Sequence, residues 1–234
     1  KSFNNNFMKY DWLLFDLDNT ILNFDDAMVF GFDKTINDFD IPFDENYFSI
    51  YQKINHECWA DLEKGIIIQD ELRILRMERF LNHIDIDKNP IDFAETYHKN
   101  LSVKIFWMED AKGLIEDWSG QYNMALVTNG MREIQRARLV KSDLEKHFRH
   151  VIISDEIGVS KPNIRFFDHV FEKIKFPKKD KVIIIGDSLS SDIRGGNDYG
   201  IDTCWLNMSE RIAPKDNMPT FTIGKLKELK EIVL

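Results

Sequence analysis

Trp12-Leu13-Leu14-Phe15-Asp16-Leu17-Asp18-Asn19-Thr20 is the stretch on which the fold turns. The apolar run at its start is too short for a helix and reads as a strand buried on both faces of a parallel sheet. It ends abruptly in two aspartates. On an extended backbone, residues two apart face the same side, so Asp16 and Asp18 project together from the carboxyl end of the strand. Open α/β sheets bind their ligands at that edge. Two carboxylates held this close repel, and burial makes their charge costlier, so the pair calls for a cation or a shared proton. A surface turn would use Asp-Asn-Thr for its geometry alone, and the other strand ends must decide between the two.

Working outward, residues 124–127, 151–153, 182–185 and 203–206 are further short runs rich in Val, Ile and Leu. Helical periodicity fills the gaps between them at 131–148 and 164–174. Such βαβ alternation predicts a Rossmann-like, three-layer α/β/α core around a parallel sheet. The interval between the first run and the second differs. It holds several amphipathic helical patterns, among them 44–62 and 69–83, punctuated by Pro42 and Pro90. In the second pattern Leu72, Leu75, Arg76 and Arg79 place apolar and basic faces at helical spacing. So long an insertion within a βαβ unit is expected to be a domain of its own. The expected division is a core of 1–23 and 104–234 with an all-α helical domain at 24–103.

The remaining strand ends carry polar residues too. Gly186-Asp187-Ser188 follows the fourth run, with Asp192, Gly195 and Gly196 close behind. Hard cations such as magnesium take oxygen ligands, commonly one or two carboxylates with phosphate and water, and Asp16 and Asp187 can supply these. Asp192 also suits the start of a helix, where the dipole favours an acid. Thr128-Asn129-Gly130 offers a hydroxyl and backbone N–H groups ahead of a helix, an anion site or an N-cap or both. In Gly158-Val159-Ser160-Lys161-Pro162-Asn163, one lysine stands beside a proline at the same sheet edge. Most lone lysines are solvated surface charges; position argues for function here.

Asp16-Leu17-Asp18-Asn19-Thr20, Thr128-Asn129, Lys161-Pro162 and Gly186-Asp187 with Asp192 resemble, in order, the four motifs of the haloacid dehalogenase superfamily. The helical insertion is similar to that family's type 1 cap. Tyr10-Asp11-Trp12, Leu126 to Gly130, Val159 to Asn163 and Thr203-Cys204-Trp205-Leu206-Asn207 further resemble the noncanonical pyrimidine nucleotidase group, 5'-nucleotidases acting on nucleoside monophosphates. Asn19 stands where many phosphatases of the superfamily have glycine, a departure that points away from the sugar-phosphate branches. The resemblance implies Asp16 as nucleophile and Asp18 as general acid and base. It implies Leu17, Asp18, Thr128, Asn129 and Lys161 around the phosphoryl group, and Mg2+ held by Asp16, Asp187 and the Asp18 carbonyl. It also implies that Asp192 supports the metal ligands. Tyr47, Phe48, Tyr51 and Trp59 of the insertion offer a flat surface for a pyrimidine base, although aromatics at helical spacing are usually core.

Acidic residues outnumber basic ones, 40 to 31, for a net charge of −9. No Lys/Arg cluster resembles a nucleic-acid footprint, so the expected partner is a small phosphorylated metabolite. Cys58 and Cys204 have no metal-type spacing and read as buried reduced thiols. No apolar run is long enough for a bilayer, and the polar start of the chain lacks a signal-peptide centre. A cytoplasmic protein is expected, with a frayed extension ahead of Met8. Two other readings stay open: a phosphatase or mutase for another phosphometabolite such as a sugar phosphate, and a receiver-like, phosphate-binding module without catalysis.

Overall fold

A computed structural model describes residues 9–233, and the stretch expected to fray ahead of Met8 lies outside them. The chain divides into two compact units, one of Lys1–Phe24 with Phe106–Leu234, the other of Asp25–Ile105. The first unit is built on a six-stranded sheet. Its strands are β1 (Trp12–Phe15), β2 (Asn123–Thr128), β3 (His150–Ile153), β4 (Val182–Gly186), β5 (Asp202–Leu206) and β6 (Phe221–Ile223), in spatial order β3-β2-β1-β4-β5-β6. Every pairing is parallel. The register aligns Phe15 with Leu126 on one side and Ile185 on the other, so the carboxyl ends of β1, β2 and β4 finish within two residues of one another. That alignment brings Asp16, Thr128 and Asp187 to one edge.

The five apolar runs of the sequence are β1 to β5. Central strands are covered on both faces and must be apolar throughout, as the complete burial of Leu13, Leu14, Phe15 and Val182 to Ile185 shows. The sixth strand was not expected. It is a three-residue edge strand with Thr222 exposed, so it carries no continuous apolar run.

The helical unit contains α1 (Phe24–Asp38) from its second residue on, α2 (Tyr47–Glu63), α3 (Gln69–His83) and α4 (Pro90–Leu101). Its interior is aromatic: Phe32 stacks on Tyr51 at 5.1 Å and meets the edge of Phe80 at 5.1 Å, and Tyr51 meets Tyr97 at 5.3 Å. Tyr51 is fully buried, and Tyr47 and Phe48 pack edge-on against Phe80 and Phe32. Tyr51 is therefore a packing element of the unit, a correction to its reading as part of a base-stacking surface, while Tyr47 and Phe48 stay half-buried. Arg76 is a second correction. It lies on the buried face with Leu72 and Phe80, donating to Asn55 Oδ1 at 2.8 Å and to His98 Nε2 at 2.8 Å. Burial, then the charges of Arg76 and Arg73, depress the pKa of His98 to about 3, so the imidazole is a neutral acceptor.

Around the sheet run α5 (Ala111–Trp118), α6 (Arg132–Ser142), the short α7 (Ser154–Ile157), α8 (Ile164–Lys173), α9 (Arg194–Tyr199) and α10 (Leu229–Val233). On one face, Leu14, Val127 and Ile184 pack against Phe166, Phe167 and Val170 of α8 and Tyr199 of α9. The helical pattern expected over 131–148 stops sooner, at Ser142. Asp143 turns left-handed (φ 57°), Leu144 N donates to Leu139 O, and Asp143 N donates to Val140 O. This is a Schellman stop with an aspartate in the position that glycine usually takes, and it returns Leu144 to the core.

Candidate active site

Beyond β1 the ladder continues one residue further, with Asp16 N donating to Ile185 O at 2.9 Å. The chain then folds into a tight loop: Leu17 O accepts from Ile21 N (3.0 Å) and Leu22 N (2.9 Å), and Asn19 N donates to Leu22 O (2.7 Å). Asn19 sits at φ 55°, and its Oδ1 caps Phe24 N at 2.9 Å. Asparagine tolerates the left-handed conformation better than most residues, so it can replace glycine there while adding a hydrogen bond. The Leu17 side chain is fully buried and its carbonyl is engaged, so any contact it makes with a substrate runs through its N–H.

Lys161 is not a surface charge, being only 2% exposed. Its Nζ donates to Asp16 Oδ1 (2.6 Å), Asp192 Oδ1 (2.6 Å) and Val127 O (2.8 Å). The backbone that presents it is pinned by Asn129, whose side chain donates to Lys161 O and accepts from Lys161 N, both at 2.9 Å. Burial opposes the charge on Lys161, and the carboxylates of Asp16 and Asp192 more than reverse this, so its pKa rises. Asp16 is pushed well above the usual carboxylate range by burial, against the pull of Lys161 and with the added repulsion of Asp192, Asp187 and Asp18. Burial and Asp192 raise Asp187 to about 7.

Asp192 is completely buried in a π-helical turn, Leu189–Ile193, and its Oδ2 accepts from Ser188 N at 3.1 Å. Gly186 makes room for it, because a Cβ there would lie 2.1 Å from Oδ2. Carboxylate oxygens of Asp16, Asp187 and Asp192 all lie within 4.8 Å of one another. Lys161 pairs with two of them, Asp16 and Asp192, so three carboxylates share one ammonium in a desolvated place. All-oxygen donors with that charge fit a hard divalent cation such as Mg2+.

Thr128 is 1% exposed and accepts from Gly130 N at 3.2 Å and from Gln135 Nε2 at 2.8 Å. Gln135 Nε2 also donates to Asp18 Oδ2 at 2.7 Å, and Arg138 donates to Asp18 Oδ1. The Asp18 side chain thus turns toward α6, while Asp16 turns toward Lys161. Sequence reasoning missed Gln135 and Arg138, which lie in a stretch that reads as a charged surface helix. Their spacing of three, on the face of the buried Ile134 and Leu139, was the available signal. Trp205 Nε1 and Arg211, donating to Asp187 O at 2.9 and 3.0 Å, were missed as well. At the start of α6, Arg132 N donates to Asp155 Oδ2 at 2.9 Å, so part of the expected anion site is filled by the chain itself.

Residues 13–206 match the model of the haloacid dehalogenase-like hydrolases. The chain belongs to that family. Within it, the chain is similar to the pyrimidine 5'-nucleotidase YjjG of Escherichia coli (strain K12), with 31% identity over 226 residues, or 97% of this chain and 99% of the relative. It is 32% identical to the pyrimidine 5'-nucleotidase PynA of Streptococcus pneumoniae over 223 residues, 95% of this chain and 94% of the relative. Among solved structures, the HAD-hydrolase YfnB of Bacillus subtilis, crystallised with magnesium, superposes with a TM-score of 0.90 at 32% identity, covering 96% of this chain and 99% of that one. Membership in a family of hydrolases disfavours the receiver-like reading.

Proposed function

We propose that the protein is a Mg2+-dependent phosphomonoester hydrolase working through an aspartyl-phosphate on Asp16, with pyrimidine nucleoside 5'-monophosphates as its substrates. The observation that carries the chemistry is Lys161 Nζ at 2.6 Å from both Asp16 and Asp192, at the edge where Asp187 also ends its strand. A buried ammonium fixes the orientation of the nucleophile and lies beside the place where a phosphoryl group must sit.

Asp16 attacks phosphorus as the bond to the leaving oxygen breaks, and Asp18 delivers a proton to that oxygen. Asp18 then removes a proton from water, the water attacks phosphorus, and Asp16 is regenerated as inorganic phosphate leaves. The Thr128 hydroxyl, the N–H groups of Leu17, Asp18 and Asn129, and Lys161 hold the phosphoryl oxygens. Asp16, Asp187 and the Asp18 carbonyl would hold Mg2+, with Asp192 in support. When bound, the ion offsets the negative charge that the carboxylates and the phosphate bring together.

The phosphate-binding residues grip a group common to every candidate substrate, so the choice of leaving group falls to the helical unit, read as a cap over 24–103. The pyrimidine 5'-nucleotidase activity by which the two relatives are named supports a pyrimidine preference, and rejecting a larger purine is physically easier than telling one pyrimidine from another. We place the reaction in the cytoplasm, where the buried free thiols Cys58 and Cys204 stay reduced. Among the described residues no helix is long and apolar enough to cross a membrane. The test compares kcat/KM for deoxyuridylate, deoxyguanylate and a panel of sugar phosphates at equal magnesium. Deoxyuridylate should lead. A clear preference for a sugar phosphate would move the chain to another branch of the family and leave the Asp16 chemistry standing.

A further inference from the structure

Asp18 is used twice in the reaction, and both of its carboxylate oxygens are held. Arg138 donates to Oδ1 and Gln135 Nε2 donates to Oδ2 at 2.7 Å. Arg138 also donates to Gln135 Oε1 at 2.9 Å, and Gln135 Nε2 reaches Thr128 Oγ1 at 2.8 Å. The side chains of Asp18, Arg138, Gln135 and Thr128 are thereby linked in one chain of hydrogen bonds that joins the acid/base residue to a phosphate-binding hydroxyl.

Three features set this network apart from ordinary packing. Gln135 and Arg138 are each only 1% exposed, and burying an amide and a guanidinium is costly unless they are partnered, so an apolar pair would fill the same face at lower cost. Gly130 is shaped to admit it: a Cβ there would lie 2.2 Å from Gln135 Nε2, and Gly130 does not adopt a left-handed φ, so the glycine provides room rather than conformational freedom. The guanidinium is also backed by the ring of Phe24, 5.0 Å away.

The network dictates direction as well as place. Thr128 Oγ1 accepts from both Gln135 Nε2 and Gly130 N, so its own O–H must point away from both, toward an outside acceptor such as a phosphoryl oxygen. Arg138 and Gln135 have only donors turned toward Asp18, which fixes the plane of its carboxylate. We propose that Gln135 and Arg138 are positioning residues that hold the Asp18 carboxylate and the Thr128 hydroxyl as one unit, aligning proton transfer to the leaving oxygen with the bound phosphoryl group. This rests on the reading of Asp18 as acid and base.

The test is leaving-group dependence in Gln135→Met, Arg138→Met and Arg138→Lys, using phenyl phosphate and 4-nitrophenyl phosphate. Nitrophenolate leaves with little help from a proton, and phenolate needs more. For the two Met variants, kcat/KM for phenyl phosphate should fall about 100-fold, and by about tenfold less for 4-nitrophenyl phosphate, in line with the usual contribution of a positioned acid. Arg138→Lys should recover part of the loss. Gly130→Ala, which displaces Gln135 without removing it, should reproduce the Gln135→Met pattern and serves if a Met variant fails to fold. Equal losses on both substrates in folded variants, with no recovery by lysine, would mean a merely structural role and overturn the proposal. Asp18→Asn, assayed beside them on the same two substrates, separates the two ideas: equal losses there sink the acid/base reading itself, whereas a loss there that is larger on phenyl phosphate, combined with equal losses in the Gln135 and Arg138 variants, sinks only the positioning role.

Discussion

Replacing Gly186 with alanine adds one methyl group where β4 hands over to the site, and a single close approach sets the consequence. The new Cβ would lie 2.1 Å from Asp192 Oδ2 and 2.3 Å from the carboxyl carbon, where ordinary contacts begin at 3.4 Å. Gly186 has no left-handed φ, so the backbone accepts alanine and the strain falls on Asp192. The carboxylate must retreat by roughly 1 Å, which breaks or stretches its bonds to Lys161 Nζ (2.6 Å) and Ser188 N (3.1 Å). Lys161 keeps Asp16 and Val127 O, so the loss should stay below the roughly 3–5 kcal/mol of an abandoned buried charge. Overpacking of this kind costs about 1–3 kcal/mol and should lower Tm by several degrees. On the proposed reading of Asp192 as support for the metal ligands, its displacement should raise the half-saturating magnesium about 10- to 100-fold, with activity largely restored at saturation. Magnesium titrations with 4-nitrophenyl phosphate, alongside thermal unfolding, measure both effects. An unchanged Tm with an unchanged magnesium requirement would refute the placement of Asp192.

Lys161→Ala should raise KM and lower kcat together, because its charge opposes negative charge in the bound phosphate and in the transition state alike; a change confined to substrate choice would mean that Lys161 does not face the phosphoryl group. In the helical unit, His98 faces Arg76, Arg73 and the ring of Tyr97, with its pKa lowered from 6.5 to about 3. Below pH 6.5 the unfolded chain binds a proton there that the folded chain refuses, so this contribution to stability is present above 6.5 and declines as pH falls toward 3, by up to about 1.4 kcal/mol per unit. Denaturant midpoints at pH 7 and 5 should therefore converge in His98→Gln relative to the parent; parallel shifts in the two proteins would show that His98 is not held neutral.

What the sequence showed and what it concealed follow from burial. Strands β1 to β5 were legible because both faces of each are covered, whereas β6, half-exposed at the sheet edge, has no such pattern. Asp16, Asp18, Thr128, Lys161 and Asp187 were legible as candidates because each follows an apolar run or shares its sheet edge. Gln135 and Arg138 escaped because a polar residue turned inward looks, in a helical sequence, like one turned outward; Arg76 was misread for the same reason. The roles of Gly130 and Gly186 depend on which side chain fills the missing Cβ, a tertiary fact that no local pattern encodes. Tyr51 shows the opposite error, since an aromatic at helical spacing was core, as its spacing suggested.

The most direct measurement is chemical capture of the phosphorylated aspartate. The enzyme is mixed with 4-nitrophenyl phosphate and magnesium, quenched, reduced with borohydride, and its peptides are mapped by mass spectrometry. An aspartyl-phosphate on Asp16 predicts homoserine at position 16, absent without substrate, and loss of turnover in Asp16→Asn with the fold retained. Homoserine at another aspartate, or near-normal turnover of Asp16→Asn at saturating magnesium, would contradict it.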